Sequence, residues 1–112
     1  MPLLDVTLFK KQLRLEADDS SEDELLTLYL ESAESNISRL LGQKVYLNTA
    51  DIDPLVPYAI SLEAEPDVKL AILLLASHFY MHREAVSDIE MSEIPMGVKA
   101  IVGPLSILYP EL

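Results

Sequence analysis

The chain has 112 residues, half of them hydrophobic, which suffices for one domain with its own core. It has no cysteine, which excludes a disulfide scaffold, cysteine-ligated zinc, an iron–sulfur cluster and a thiol nucleophile. The 8 basic and 19 acidic residues give a net charge of -11, the reverse of the basic footprint expected of a free-standing nucleic-acid binder.

Met1-Pro2-Leu3-Leu4-Asp5 lacks the basic and apolar regions of a signal peptide. The apolar run Leu70–Ala76 is far shorter than the ~20 residues that span a bilayer. These features predict a small, acidic, soluble intracellular domain with no membrane segment.

A short helix is expected over Asp5–Leu15, capped by Asp5 or Thr7. Leu8, Phe9, Gln12 and Leu13 form its inner stripe, and Lys10, Lys11 and Arg14 are expected to face out. The following Glu16–Glu24 stretch is strongly acidic. It lacks the glycine and the terminal glutamate of a calcium loop, so it reads as a linker and helix cap, with Ser21 and Glu24 as a capping box.

A long helix is predicted over Glu22–Leu41. Leu26, Tyr29, Leu30, Ala33, Ile37, Leu40 and Leu41 form its stripe, Glu31, Glu34, Ser35 and Ser38 lie on its surface, and Gly42 is its C-cap. Residues 44–65 have no helical period and contain Pro54 and Pro57. They read as an extended connection with one or two short strands, long enough to suggest a functional or partner-ordered segment.

A second long helix begins at Pro66 and continues to Glu84. It is apolar on all sides over Leu70–Ala76, as expected of a helix that is central in its fold or packed on another subunit. After a polar loop, a fourth, short helix opens near Pro95 and stops at Gly103-Pro104. The tail, 105–112, packs back or docks on a partner. The expected architecture is all-α: one domain, 1–112, with about four helices, two long and two short, and a long extended connection between the long ones.

Catalytic chemistry finds little support. His78 and His82 share a helix face at metal-ligand spacing, but two imidazoles do not complete a zinc site. No serine lies in a Gly-x-Ser-x-Gly elbow, and three glycines form no phosphate loop. No helix carries the exposed Arg, Lys, Asn and Gln of a DNA-reading element. No enzyme activity, cofactor or metal is expected.

Four blocks in order carry a resemblance. Leu8–Leu15 is followed by Glu22-Asp23-Glu24-Leu25-Leu26, and Ala33–Gly42 ends in Leu-Gly. Pro66–Ala85 closes on His78-Phe79-Tyr80-Met81-His82-Arg83-Glu84, and Ile94–Ile101 contains Pro95-Met96-Gly97-Val98. Together they resemble the head-tail connector, or head-completion adaptor, family of long-tailed bacteriophages, also described as DNA-packaging proteins. The family's Pro-Tyr-Arg-like ending is replaced here by Pro104-Leu105-Ser106.

The resemblance implies a structural virion protein at the head-tail interface, assembled in the host cytoplasm. It implies a homo-oligomeric ring of roughly a dozen copies in a closed cyclic assembly. The ring's partners would be the portal protein and the next tail-side stopper or tail-completion protein, with DNA passing through its channel without specific binding. Under this reading Tyr80, Arg83 and Glu84 are a candidate assembly cluster, with local packing as the alternative. Asp18, Asp19, Glu22 and Asp23 are candidates to face the lumen or the portal, and Leu108 and Tyr109 to dock the tail. The competing reading is a small acidic helical regulator of one protein partner, such as an antirepressor or DNA mimic.

Overall fold

The structure is a computed structural model that describes residues 2–82 and 96–107. The chain order is α1 (Val6–Leu13), α2 (Asp23–Leu41), β1 (Lys44–Tyr46), β2 (Ala59–Ser61), α3 (Pro66–Met81) and α4 (Met96–Val102). One-turn 3₁₀ helices lie at Thr49–Asp51 and Gly103–Leu105.

Each helix boundary has a local cause. Asp5 caps α1 by accepting the Thr7 N–H at 2.9 Å. The helix closes with Arg14 at φ 61°, and the Leu15 N–H returns to the Lys10 carbonyl at 2.8 Å. α2 ends on Gly42 at φ 70°, whose N–H reaches the Ser38 carbonyl. Pro66 opens α3, where the missing N–H costs nothing. The expected Ser21–Glu24 capping box does not form. The N-cap is Glu22, whose side chain does not cap the helix, and the Ser21 N–H instead donates to Asp19.

α3 is the centre of the packing and touches α1, α2 and α4. Val68, Ala71, Ile72, Leu75, Ala76 and Phe79 are buried on it. They meet Leu26, Leu30, Ala33, Ile37 and Leu41 of α2, Phe9 of α1, and Val98 and Val102 of α4 in one apolar cluster. Full burial of each of the larger of these side chains, the alanines aside, contributes about 1.5–3 kcal/mol. The apolar run is not covered on every side: Leu70 is exposed and Leu74 is half-buried.

The fold is mostly helical but not all-α, which corrects the expected class. β1 and β2 form a two-stranded parallel sheet with Lys44 opposite Ala59, Val45 opposite Ile60 and Tyr46 opposite Ser61. Parallel pairing needs a crossover of about a dozen residues, commonly a helix. Here residues 47–58 make the crossover with only a 3₁₀ turn. The Thr49 N–H bonds to Glu63 Oε1 at 2.9 Å and its hydroxyl pairs with that of Ser61 at 2.8 Å. The sheet buries Val45 and Ile60 against the helices.

The C-terminal residues that are described fold back on α2. Gln43 Nε2 donates to the Leu105 carbonyl at 2.9 Å, the Ser106 hydroxyl to the Leu40 carbonyl, and the Ile107 N–H to the Leu41 carbonyl at 3.0 Å.

Two substitutions test this account. Gly42→Ala should cost about 1–2 kcal/mol, because a Cβ is strained at positive φ, read as a lower urea midpoint with unchanged m-value. Tyr46 has a buried hydroxyl with no hydrogen-bond partner among the described residues. Tyr46→Phe should therefore leave stability unchanged or raise it by up to about 1 kcal/mol; a clear loss would show that the hydroxyl has a partner.

Candidate functional site

The acidic turn between α1 and α2 is built around a cation. Lys10, expected to face solvent, is only 4% exposed. Its ammonium donates to the Asp19 carbonyl at 2.8 Å and to the Ala17 carbonyl at 3.3 Å. It also sits 2.7 Å from Asp23 Oδ1. One buried ammonium thus ties the end of α1, the turn and the first residue of α2 together. A buried charge is tolerable only when surrounded by such partners.

This geometry sorts the four acidic candidates. Asp23 is half-buried and holds Lys10. Asp18 and Asp19 are exposed, and Glu22 is half-buried at the helix cap. The Ser21 hydroxyl and N–H hold the Asp19 carboxyl below the usual carboxylate range, with a smaller contribution from Lys10. Asp19, Ser21 and Glu22 border a shallow cleft of about 260 Å³ with Leu15 and Leu26. Among the described residues no cluster of His, Asp and Glu is arranged to hold a metal ion.

A second inward carboxylate was not legible as such. Glu34 of α2, expected on the surface, is half-buried. Its two oxygens accept the Leu3 and Leu4 N–H groups, both at 2.9 Å. This clamp lays the N-terminal residues along α2 and seats Leu4 in the core. Burial pushes the Glu34 carboxyl up, Glu31 adds to that, and the two N–H donors oppose it.

In the Tyr80, Arg83 and Glu84 group, Tyr80 is half-buried against the core at the end of α3. Arg83 and Glu84 lie outside the described residues, as do Leu108 and Tyr109. His78 and His82 stand close, with ring centroids 4.5 Å apart.

Exposed apolar groups include a pair on α2 that the sequence reading did not single out and a pair in the 44–65 connection that it did. Leu25 and Leu28 of α2 line a groove of about 640 Å³ with Asp23, Glu24, Thr27 and Glu31. Leu55 and Tyr58 project from the β1–β2 crossover, Leu55 being 88% exposed. No helix among the described residues is long and apolar enough to cross a membrane.

The described surface thus presents exposed apolar side chains with charged neighbours on a helical body. Comparison with known proteins identifies the family. Residues 4–105 match the family described as "Phage gp6-like head-tail connector protein". The chain is 32% identical over 93 residues to the "Head completion protein gp6" of Enterobacteria phage HK97, covering 83% of this chain and 73% of that one. No solved structure gives a match. The chain belongs to the phage gp6-like head-tail connector proteins, a structural family.

The Lys10 cage has a direct test. Lys10→Met keeps the apolar stem and should cost about 2 kcal/mol, since two carbonyls and a carboxylate lose a charged donor. Asp23→Asn should cost under about 1 kcal/mol, because its side chain is partly exposed and screened. Equal losses in urea unfolding would contradict the cage.

Glu34 gives a pH test. Its folded-state pKa is raised, so its contribution to stability is full below the ordinary glutamate range. That contribution is lost as pH rises through the raised value. The stability of the native protein relative to Glu34→Gln should therefore fall from acid to neutral pH, measured as paired urea midpoints. A difference that grows toward neutral pH would mean that the two N–H bonds outweigh burial.

Proposed function

We propose that this chain is a ring-forming adaptor that sits between the portal and the tail of a phage particle and continues the DNA channel after packaging. The family match, which spans nearly all of the fold, carries this reading. The name of the similar phage protein, a head completion protein, points to the same stage of assembly. The family assignment displaces the alternative of a small acidic regulator.

The physical properties support the role. The net charge of -11 disfavours adhesion to DNA phosphates, as a channel must. Leu25, Leu28, Leu55, Tyr58, Leu70 and Met81 are exposed apolar side chains available for contacts. The proposed partners are further copies of this chain, the portal protein and the next tail-side component. Asp18, Asp19 and Glu22 are proposed to face the lumen or the portal. Asp23 has its structural task with Lys10 in addition. Tyr80, with Arg83 and Glu84 beyond it, is proposed as an assembly contact, and Leu108 and Tyr109 as tail-docking residues. The protein is proposed to fold as one domain and to be incorporated into the virion after assembly in the host cytoplasm.

Native mass spectrometry over a concentration series, alone and with a portal, tests this reading with negative-stain imaging of the same samples. A closed ring of many copies with a central hole is expected in at least one condition. A monomer in all of them would overturn the proposal.

A further inference from the structure

The last turn of α3 and its C-cap carry the chain's only two histidines. His78 is half-buried and His82 exposed, and their ring centres stand 4.5 Å apart with the planes tilted by 44°. Two imidazoles that share one ion at adjacent coordination positions, about 2.0–2.1 Å from each nitrogen, have their ring centres about 4.5–5 Å apart. The observed spacing therefore already suits one shared ion.

The backbone fixes that spacing. The His82 N–H bonds to the His78 carbonyl at 3.0 Å, which holds the two positions one helical turn apart. Phe79, between them in sequence, is buried in the core and anchors the turn. α3 is braced by α1, α2 and α4, so the pair stands on a rigid element. Each imidazole has two nitrogens, and a hydrogen bond made by one leaves the other able to ligate, as in most histidine metal sites.

Met81 adds a donor of a different kind. It is the last residue of α3 and is 72% exposed. Around the helix His78 falls between the other two, about 40° from His82 and about 60° from Met81. The three side chains thus leave the helix on one face, at positions i, i+3 and i+4.

The surroundings favour a cation. The C-terminal end of α3 is the negative pole of its dipole, and the chain as a whole carries a net charge of -11. The donors narrow the choice of ion. Calcium and magnesium take oxygen ligands. A structural zinc site takes four donors, and no three His, Asp or Glu groups converge on an ion among the described residues. Imidazole suits copper, nickel and zinc, whereas a thioether selects reduced copper, so copper is the metal common to both.

We infer that His78, Met81 and His82 form a binding site for one copper ion. The two imidazoles are its principal ligands, and the Met81 sulfur strengthens the hold on Cu+. The remaining coordination positions are open to water. The site belongs to α3 of a single chain and does not depend on the ring reading.

Titration of the full chain with Cu2+ in air, and with Cu+ under ascorbate without oxygen, tests the site. One ion per chain is expected in each state, undiminished by excess Mg2+. Electron paramagnetic resonance of the Cu2+ complex should show imidazole nitrogen couplings, which only His78 and His82 can supply. His78→Gln and His82→Gln should each weaken binding at least about tenfold. Met81→Leu should weaken Cu+ at least about tenfold and leave Cu2+ within about twofold, because a thioether is a soft donor. Met81 and His82 are exposed, so circular dichroism should show their variants folded. No binding by the native chain, or no imidazole couplings, would overturn the proposal. Full binding by the His78→Gln/His82→Gln double variant would overturn it too, because the copper would then be held adventitiously elsewhere. An unchanged Cu+ affinity in Met81→Leu would remove the thioether and with it the assignment to copper.

Discussion

Everything in this fold depends on covering α3. Its sixteen residues carry apolar side chains around most of the circumference, and no single neighbour can shield them. α2 covers one side along its length, α4 a second and α1 a third. This requirement explains why the short helices are where they are. Gly97, the second residue of α4, comes close to Leu74: a Cβ there would lie 3.5 Å from Leu74 Cδ1. α1 contributes Phe9, one of the largest fully buried side chains. The coverage is incomplete at Leu70, where α3 meets solvent.

Once α3 is enclosed, the remaining polar requirements are met by charged groups turned inward. Lys10 pairs with Asp23 and orders the acidic turn by bonding two of its carbonyls. Glu34 satisfies two backbone N–H groups of an N-terminal segment that has no helix or strand to join. Both devices are single side chains bonded to backbone across a loop, which a short chain can use where it lacks the length for another element. The acidic turn is therefore first a structural joint. What it presents outward, Asp18, Asp19 and Glu22, is the remainder after Asp23 has been used.

The helices were legible because apolar spacing, Gly42 and Pro66 mark them directly. The inward charges were not. Lys10 has the same helical phase as a surface lysine would, and only the return of residues 17–19 over it reveals its burial. Glu34 looked like a surface residue because its partners, 30 and 31 positions earlier, lie in a segment without pattern. The strands, three residues each, are too short for a period of two to register. They exist because Val45 and Ile60 need the core and their backbones then need each other. The head-tail connector resemblance was legible from block order, whereas the exposed leucines of α2 were not. Exposure at Leu25, Leu28 and Leu55 is a property of the folded chain, and in the sequence these leucines look like any others.

The exposed leucines and the acidic charge are best understood together. Leu55 and Met81 leave apolar side chains open to water. A net charge of -11 opposes random association through them, because every random approach brings like charges together. Only an approach that sets a cation such as Lys44 against an acidic border, while burying apolar area, escapes much of the repulsion. The repulsion also weakens as salt shortens its range, to about 8 Å at physiological ionic strength, whereas the apolar contact does not. Charge excess in such a protein therefore opposes contacts between copies in which like charges meet.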